Sequence, residues 1–323
     1  MSRDPGRNFK LALAAGMVLA LIAPAGALAA AKPGVTTGAA ASVGQQTATL
    51  TGSVDPNERA TNSYFQYGTT TAYGALTPQT AVGAGNAARA VAAAVSALAP
   101  ATTYHYRLVA RNALGTTRGA DRTFRTRRQP LGVSLSATPN PVPFGGATVL
   151  SGTLSGTGNA NRQVVLQGNP FPYTQGFANI SNVQVTNAQG GFAFPLLSVP
   201  LTTQYRVLMP QNTSIVSPIV TTGVAVLVST SISTSRVKRG SRVRFSGTIR
   251  PARDGAQIAF QKFSRGRWVT IGGTITRHGG KSFSRYSRRV KINRGGTFRV
   301  FAGIVDGNFV SNTGRERRIR THR

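Results

Sequence analysis

The residue types that could carry chemistry are few and scattered. The chain has three histidines, His105, His278 and His322, and no cysteine. Thiolate catalysis is therefore excluded, and no disulfide can contribute to stability. The histidines fall in three separated places, with no H-x-x-x-H spacing that would bring two imidazoles to one metal ion. Past residue 29 the carboxylates are Asp55, Glu58, Asp121, Asp254, Asp306 and Glu316. A glycosidase needs two carboxyl groups flanking one bond, and sequence does not give the distances that decide whether any two of these meet. Asp55 and Glu58 stand in "DPNER", where Asp before Pro is turn chemistry. No G-x-S-x-G elbow and no phosphate-binding glycine loop occurs. The reading is a chain with no catalytic residue, no metal site and no cofactor.

What must position these residues is β-structure. His105 lies in "PATTYHYRLVARNALGTT", residues 100 to 117, which alternates as a half-buried strand. Tyr104, Tyr106, Leu108 and Ala110 share one face; His105, Arg107, Val109 and Arg111 share the other. His105 thus faces away from the core, with no carboxylate nearby in the sequence, and reads as a surface residue. Short alternating segments broken by Gly, Pro, Asn and Thr continue along the chain, the pattern of an all-β sandwich array. Residues 87 to 97, "AARAVAAAVSA", would score as helix on alanine content, but Val91 and Val95 are spaced for a strand face. Strand is the expectation there. The strong net charge favours disorder, but the regular alternation and buried-type aromatics argue against it.

The first 29 residues read as a secretory signal peptide. Arg3, Arg7 and Lys10 precede the apolar run "LALAAGMVLALIAPAGALAA", and Ala27-Leu28-Ala29 supplies a small-residue cleavage site. A retained anchor is the competing reading, although the uninterrupted core from Leu11 to Ala23 is shorter than a span of about 20 residues. The expected product is secreted, or held to the cell envelope non-covalently.

Residues 33–128 form the first expected unit. "TLTGSVDPN", "YFQYGTTTAYG" and "LAPATTYHYRLVARNALGTTRG" together resemble the fibronectin type III-like modules of secreted bacterial proteins, particularly those of actinobacterial type. The resemblance implies that Leu98, Pro100 and Tyr104 are structural. They would form a tyrosine corner in which the hydroxyl pins the preceding turn.

Residues 131–226 and 229–323 read as a duplicated sandwich. "TVLSGTLSG" from Thr148 aligns with "VRFSGTIRP" from Val243, and "TQYRVLM" from Thr203 with "GTFRVFA" from Gly296. "RQVVLQGNPFPY" from Arg162 aligns with "AQIAFQKFSRGRW" from Ala256. A nearly constant offset across separate strands marks a repeat of sandwich length. Both copies resemble bacterial immunoglobulin-like repeats of envelope proteins, although "GGKSF" departs from the usual aspartate-containing turn. Linkers are expected at 125–132 and 221–235. The fold class expected is all-β, with tandem immunoglobulin-like and fibronectin type III-like sandwiches after the signal peptide.

Charge separates the two copies. The chain carries a formal +31. From Leu131 to Val228 the only charged residues are Arg162 and Arg206, whereas Ser229 to Arg323 holds 23 Lys or Arg against Asp254, Asp306 and Glu316. Strand parity puts Arg242, Arg244 and Arg250 opposite in direction to Val243, Phe245 and Ile249. "KSFSRYSRRVKINR" adds Lys281, Arg285, Arg288, Arg289, Lys291 and Arg294, with Arg288 on the parity of Tyr286 and Val290. Lys262, Arg265 and Arg267 complete the candidate polyanion-binding set. The partner expected is an anionic cell-wall polymer, an acidic polysaccharide or another polyanion, with no sequence-specific nucleic-acid recognition. "GNPFPYTQGF" sets Phe171 and Tyr173 around a proline as a candidate aromatic platform for a sugar or a neighbouring domain, or as a cover over its own sandwich edge. The competing functions are a mechanical spacer or a module that binds another envelope protein, and an accessory carbohydrate-active protein.

Overall fold

The computed structural model describes residues 31–323, so the expected signal peptide lies outside the described residues. Every regular element among them is a β-strand. No helix there is long and apolar enough to cross a membrane. Strand pairing separates two compact units, to Arg127 and from Arg128.

In the first unit a three-stranded sheet, in the order Gly34–Thr37, Ala48–Asp55, Arg89–Val95, packs against a sheet centred on Thr61–Gly68 and Thr103–Asn112. The alanine-rich stretch is a strand, because its pairing with Ala48–Asp55 outweighs helix propensity. Leu50, Phe65, Tyr106 and Leu108 fill the space between the sheets and are at most 2% exposed. All four follow from alternation: each sits on the inward parity of its strand.

Tyr104 closes one end of this core. Its hydroxyl accepts the Ala99 amide at 2.9 Å, and its ring stacks on Phe124 at 5.6 Å. Thr126 ties down the same corner by donating to the Ala99 carbonyl at 2.7 Å. Tyr104→Phe leaves the Ala99 amide without its acceptor, so it is expected to lose about 1–2 kcal/mol in denaturant unfolding of the first unit. A variant as stable as the parent would show that water replaces the hydroxyl.

The second unit holds both copies of the repeat. In the first copy Thr148–Ser155 is flanked by Gly191–Leu196 and by the short strands Gly132–Val133 and Ser136–Thr138. Gln163–Pro170 and Thr203–Met209 centre the facing sheet. In the second copy Arg242–Arg250 pairs with Phe283–Lys291 and with Leu227–Val228 and Ser231–Ile232. Its facing sheet runs Arg236–Lys238, Arg317–His322, Gly296–Gly303, Gln257–Ser264, Arg267–Ile275.

The duplication extends to single hydrogen bonds. The Thr153 amide donates to Ser134 Oγ at 2.9 Å, and 95 residues later the Thr248 amide donates to Ser229 Oγ at 2.7 Å. Gly152 and Gly247 answer to each other too. A Cβ on either would stand 2.0 Å from the carbonyl oxygen of Ser134 or Ser229. The S-G-T motif therefore keeps glycine because an edge backbone crosses that point.

No free linker joins the two copies. Val224–Ala225 pairs in parallel with Val142–Pro143, and Ala225 also bridges Val310 of the second copy. The Val310 amide donates to the Val224 carbonyl at 2.8 Å, and Asn312 Nδ2 donates to the Val226 carbonyl at 2.9 Å. Val142, Val199, Val224 and Val226, all fully buried, belong to one apolar cluster with Phe245, Phe260 and Phe298. Phe144 and Phe309 meet edge to face at 5.9 Å.

Candidate functional site

The strongest chemical feature is the outer face of the sheet built on Arg242–Arg250. Antiparallel partners project to the same side, so the register assigns the face. Arg242 lies opposite Lys291, and Arg244 opposite Arg289. Thr248 lies opposite Arg285, which in turn lies opposite Arg277 on Arg277–Gly280. Arg250 has the same parity, lies opposite Leu227, and has its guanidinium 5.8 Å from the Phe283 ring centre. All seven cations are exposed. Between them Ser246 faces Ser231 and Ser287, a row of hydroxyls across three strands.

Like charges directly opposite on paired strands repel. This face contains three such pairs, Arg242 with Lys291, Arg244 with Arg289 and Arg285 with Arg277, and no carboxylate among the residues that register places on it. The acids of this sandwich sit elsewhere. Asp306 Oδ2 accepts Arg253 Nε at 2.7 Å, while Oδ1 accepts the Asn308 and Phe309 amides. Asp254 accepts Ser284 Oγ through Oδ1 and lies 3.4 Å from His278 Nδ1 through Oδ2. Asp254 and Asp306 line one shallow concavity of about 280 Å³. Every carboxylate oxygen there is already turned to a partner in a loop or on a neighbouring strand, an arrangement that braces those loops.

The remaining cations of the candidate set disperse. Arg288 lies opposite Phe245 yet is exposed. Lys281 is in the turn before Phe283–Lys291, and Arg294 is in the loop after it. Lys262, Arg265 and Arg267 belong to the facing sheet and its hairpin. Lys262 is turned to protein: Nζ donates to the Arg294 carbonyl at 2.9 Å, and burial followed by the Arg294 charge pulls its pKa below the usual lysine value. Arg277 escaped sequence parity because the hairpin that places it is irregular between His278 and Gly280.

His105 is corrected in one respect. It faces away from the core, but it has a carboxylate beside it: Nδ1 lies 2.8 Å from Asp121 Oδ2. Asp121, 16 residues on, is brought back because Arg122–Arg125 pairs with Thr103–Asn112. Tyr73 donates its hydroxyl to the other Asp121 oxygen at 2.9 Å, and the Arg107 guanidinium stacks over the Tyr73 ring at 4.5 Å. Burial raises the Asp121 pKa, but the hydrogen bonds from His105 and Tyr73 and the charges of His105 and Arg107 outweigh it, leaving it below the ordinary value. The cluster fastens a turn to a strand.

Arg107 also introduces a device that recurs in every sandwich. Its Nε donates to Gln66 Oε1 directly across the sheet at 2.7 Å. Arg206 does the same to Gln167 at 2.8 Å and covers Phe177, and Arg299 does so to Gln261 at 2.8 Å and covers Trp268. Strand register hid this set from the sequence. In the candidate aromatic loop Phe171 and Tyr173 meet edge to face at 5.6 Å. Phe171 closes on the second copy, since a Cβ on Gly307 would stand 3.1 Å from its ring.

No protein-family model matches the sequence, and no curated protein matches it. Among solved structures the chain is similar to the chicken CNTN1 FN1–FN3 domains, at 16% identity over 90% of this chain and 98% of that one, with a TM-score of 0.27. Three domains of titin are similar at 14% identity over 90% and 99%, with a TM-score of 0.37. A tetra-tandem repeat from the extending region of a large adhesion protein is similar at 16% over 90% and 74%, with a TM-score of 0.26. Strand pairing itself makes this chain all-β, built of multiple sheets in both compact units.

Proposed function

We propose that this is an exported, non-catalytic structural and interaction protein whose last sandwich holds a linear polyanion along the outer face of Arg242–Arg250 and Phe283–Lys291. The observation that carries the reading is the pair of like-charged rows, Arg242 with Lys291 and Arg244 with Arg289, with no acid placed beside them. Such an arrangement costs stability in the free protein and is relieved when an anion neutralises it. Outward rows on a strand repeat at roughly 7 Å, so the stretch from Arg242 to Arg250 is about 27 Å long. A polymer with regularly spaced phosphate or carboxylate groups can lie along such a track, and guanidinium forks suit both groups. The hydroxyl row of Ser231, Ser246 and Ser287 accepts or donates in the middle of it.

The test is retention of the full chain on an immobilised polyanion across a salt series. A variant combining Arg242→Ser, Arg244→Ser, Arg289→Ser and Lys291→Ser is expected to elute at distinctly lower salt. Loss of four contacts lowers the slope of log affinity against log salt by about 3. Elution at the parent's salt concentration rejects this face as the site. A partner captured equally well by the variant, in concentrated salt, would favour the protein-binding alternative.

A further inference from the structure

The first unit has a polar concavity of its own. On the outer face of its larger sheet, Tyr64 lies opposite Val109, and Val109 opposite Arg118. In the next row Asn62 lies opposite Arg111, and Arg111 opposite Thr116. Asn62, Tyr64, Arg111, Thr116 and Arg118, with Gln79 from the adjoining loop, line a concavity of about 550 Å³. Val109 points outward yet is 0% exposed, so its neighbours close over it.

What distinguishes the place is unspent hydrogen-bonding capacity. One row away, Gln66, Arg107, Tyr73, Asp121 and His105 are bonded to one another. In the concavity no hydrogen bond or ion pair engages the side chains of Asn62, Tyr64, Gln79, Arg111, Thr116 or Arg118 among the described residues; the three ion pairs present are those of His105, Arg253 and His278. The satisfied row is architecture. The polar groups of the adjoining rows are free to meet solvent or a ligand.

The chemistry selects the ligand. Arg111 and Arg118 occupy diagonal positions on paired strands, near enough for both guanidiniums to reach one planar anion. Asn62, Gln79 and Thr116 offer donors and acceptors of the kind that ring hydroxyls use. Tyr64 gives an aromatic face for the C–H side of a ring, with a hydroxyl at its rim. A volume of this order suits one small unit with its neighbours in solvent. We infer that this concavity binds a carboxylate-bearing sugar unit, with Arg111 and Arg118 on the carboxylate, Tyr64 beneath the ring, and Asn62, Gln79 and Thr116 on its hydroxyls. The inference is independent of the cationic face on the last sandwich.

The test uses methyl glucuronide as the probe on the full chain in physiological salt, read by the amide NMR signals of residues 62–64 and 109–118. Saturable shifts confined to those signals are expected, with methyl glucoside at least tenfold weaker. Arg118→Gln and Arg111→Gln should each weaken binding at least tenfold, while Arg244→Gln with Arg289→Gln leaves these signals unchanged. Tyr64→Leu, which keeps an apolar side chain on the sheet, is the ring test, with dispersion of the remaining spectrum as the fold control. Absence of saturation, equal binding of the neutral sugar, or binding untouched by both arginine changes would overturn the assignment. A glucoside 6-sulfate bound as tightly as the glucuronide would overturn its carboxylate selectivity.

Discussion

Phe245→Ala is expected to cost about 3–5 kcal/mol, the range for emptying a buried aromatic position. Phe245 is 0% exposed and packs against Phe260 at 5.4 Å and Phe298 at 6.1 Å, between centroids. Its strand is hydrogen-bonded on both sides, to Phe283–Lys291 and to Ser231–Ile232, so the backbone is poorly placed to collapse into the hole. For a unit of this size the loss corresponds to a fall in Tm of about 10 °C. Scanning calorimetry adds a sharper outcome. Since Val142, Val199, Val224 and Val226 of the first copy share the cluster with Phe245, residues 128–323 should melt in one transition that moves as a whole. Two transitions, with only one displaced, would reject the shared core.

Gly247→Ala is expected to cost about 3 kcal/mol, at the upper end of overpacking effects. The added methyl would stand 2.0 Å from the Ser229 carbonyl oxygen and 2.6 Å from the Tyr286 hydroxyl. Neither can step aside freely. Tyr286 donates to that same carbonyl at 2.6 Å, and its burial pushes its pKa up to about 12. Ser229 is also held by Thr248 through both its hydroxyl and its amide. Gly152→Ala meets the Ser134 carbonyl at the same 2.0 Å, so the two substitutions should give similar losses in urea unfolding. A stability change below about 0.5 kcal/mol at both sites would mean that the edge strand shifts without penalty.

Local features of this fold could be read from the chain, because alternation, glycine and proline act over a few residues. The inward set Tyr104, Tyr106, Leu108 and Ala110 is legible from parity alone. So is the S-G-T repeat, although only the backbone crossing at Gly152 and Gly247 explains why it is glycine. Features set by register were hidden. Asp121 meets His105, and Gln66 meets Arg107, only after strands pair. The concavity between Arg111 and Arg118 depends on a hairpin whose offset no local pattern states. Lys262 reads like its cationic neighbours in sequence, but its ammonium lies 5.8 Å from the Phe298 ring centre and donates to the Arg294 carbonyl.

The join between the two repeat copies has a mechanical consequence. Val224–Ala225 is gripped by Val142–Pro143 on one side and by Val310 on the other. Tension pulling the copies apart must therefore shear a backbone ladder and open apolar surface to water together, where a loose tether would merely straighten. A load applied to the last sandwich is carried into its neighbour with no slack between them.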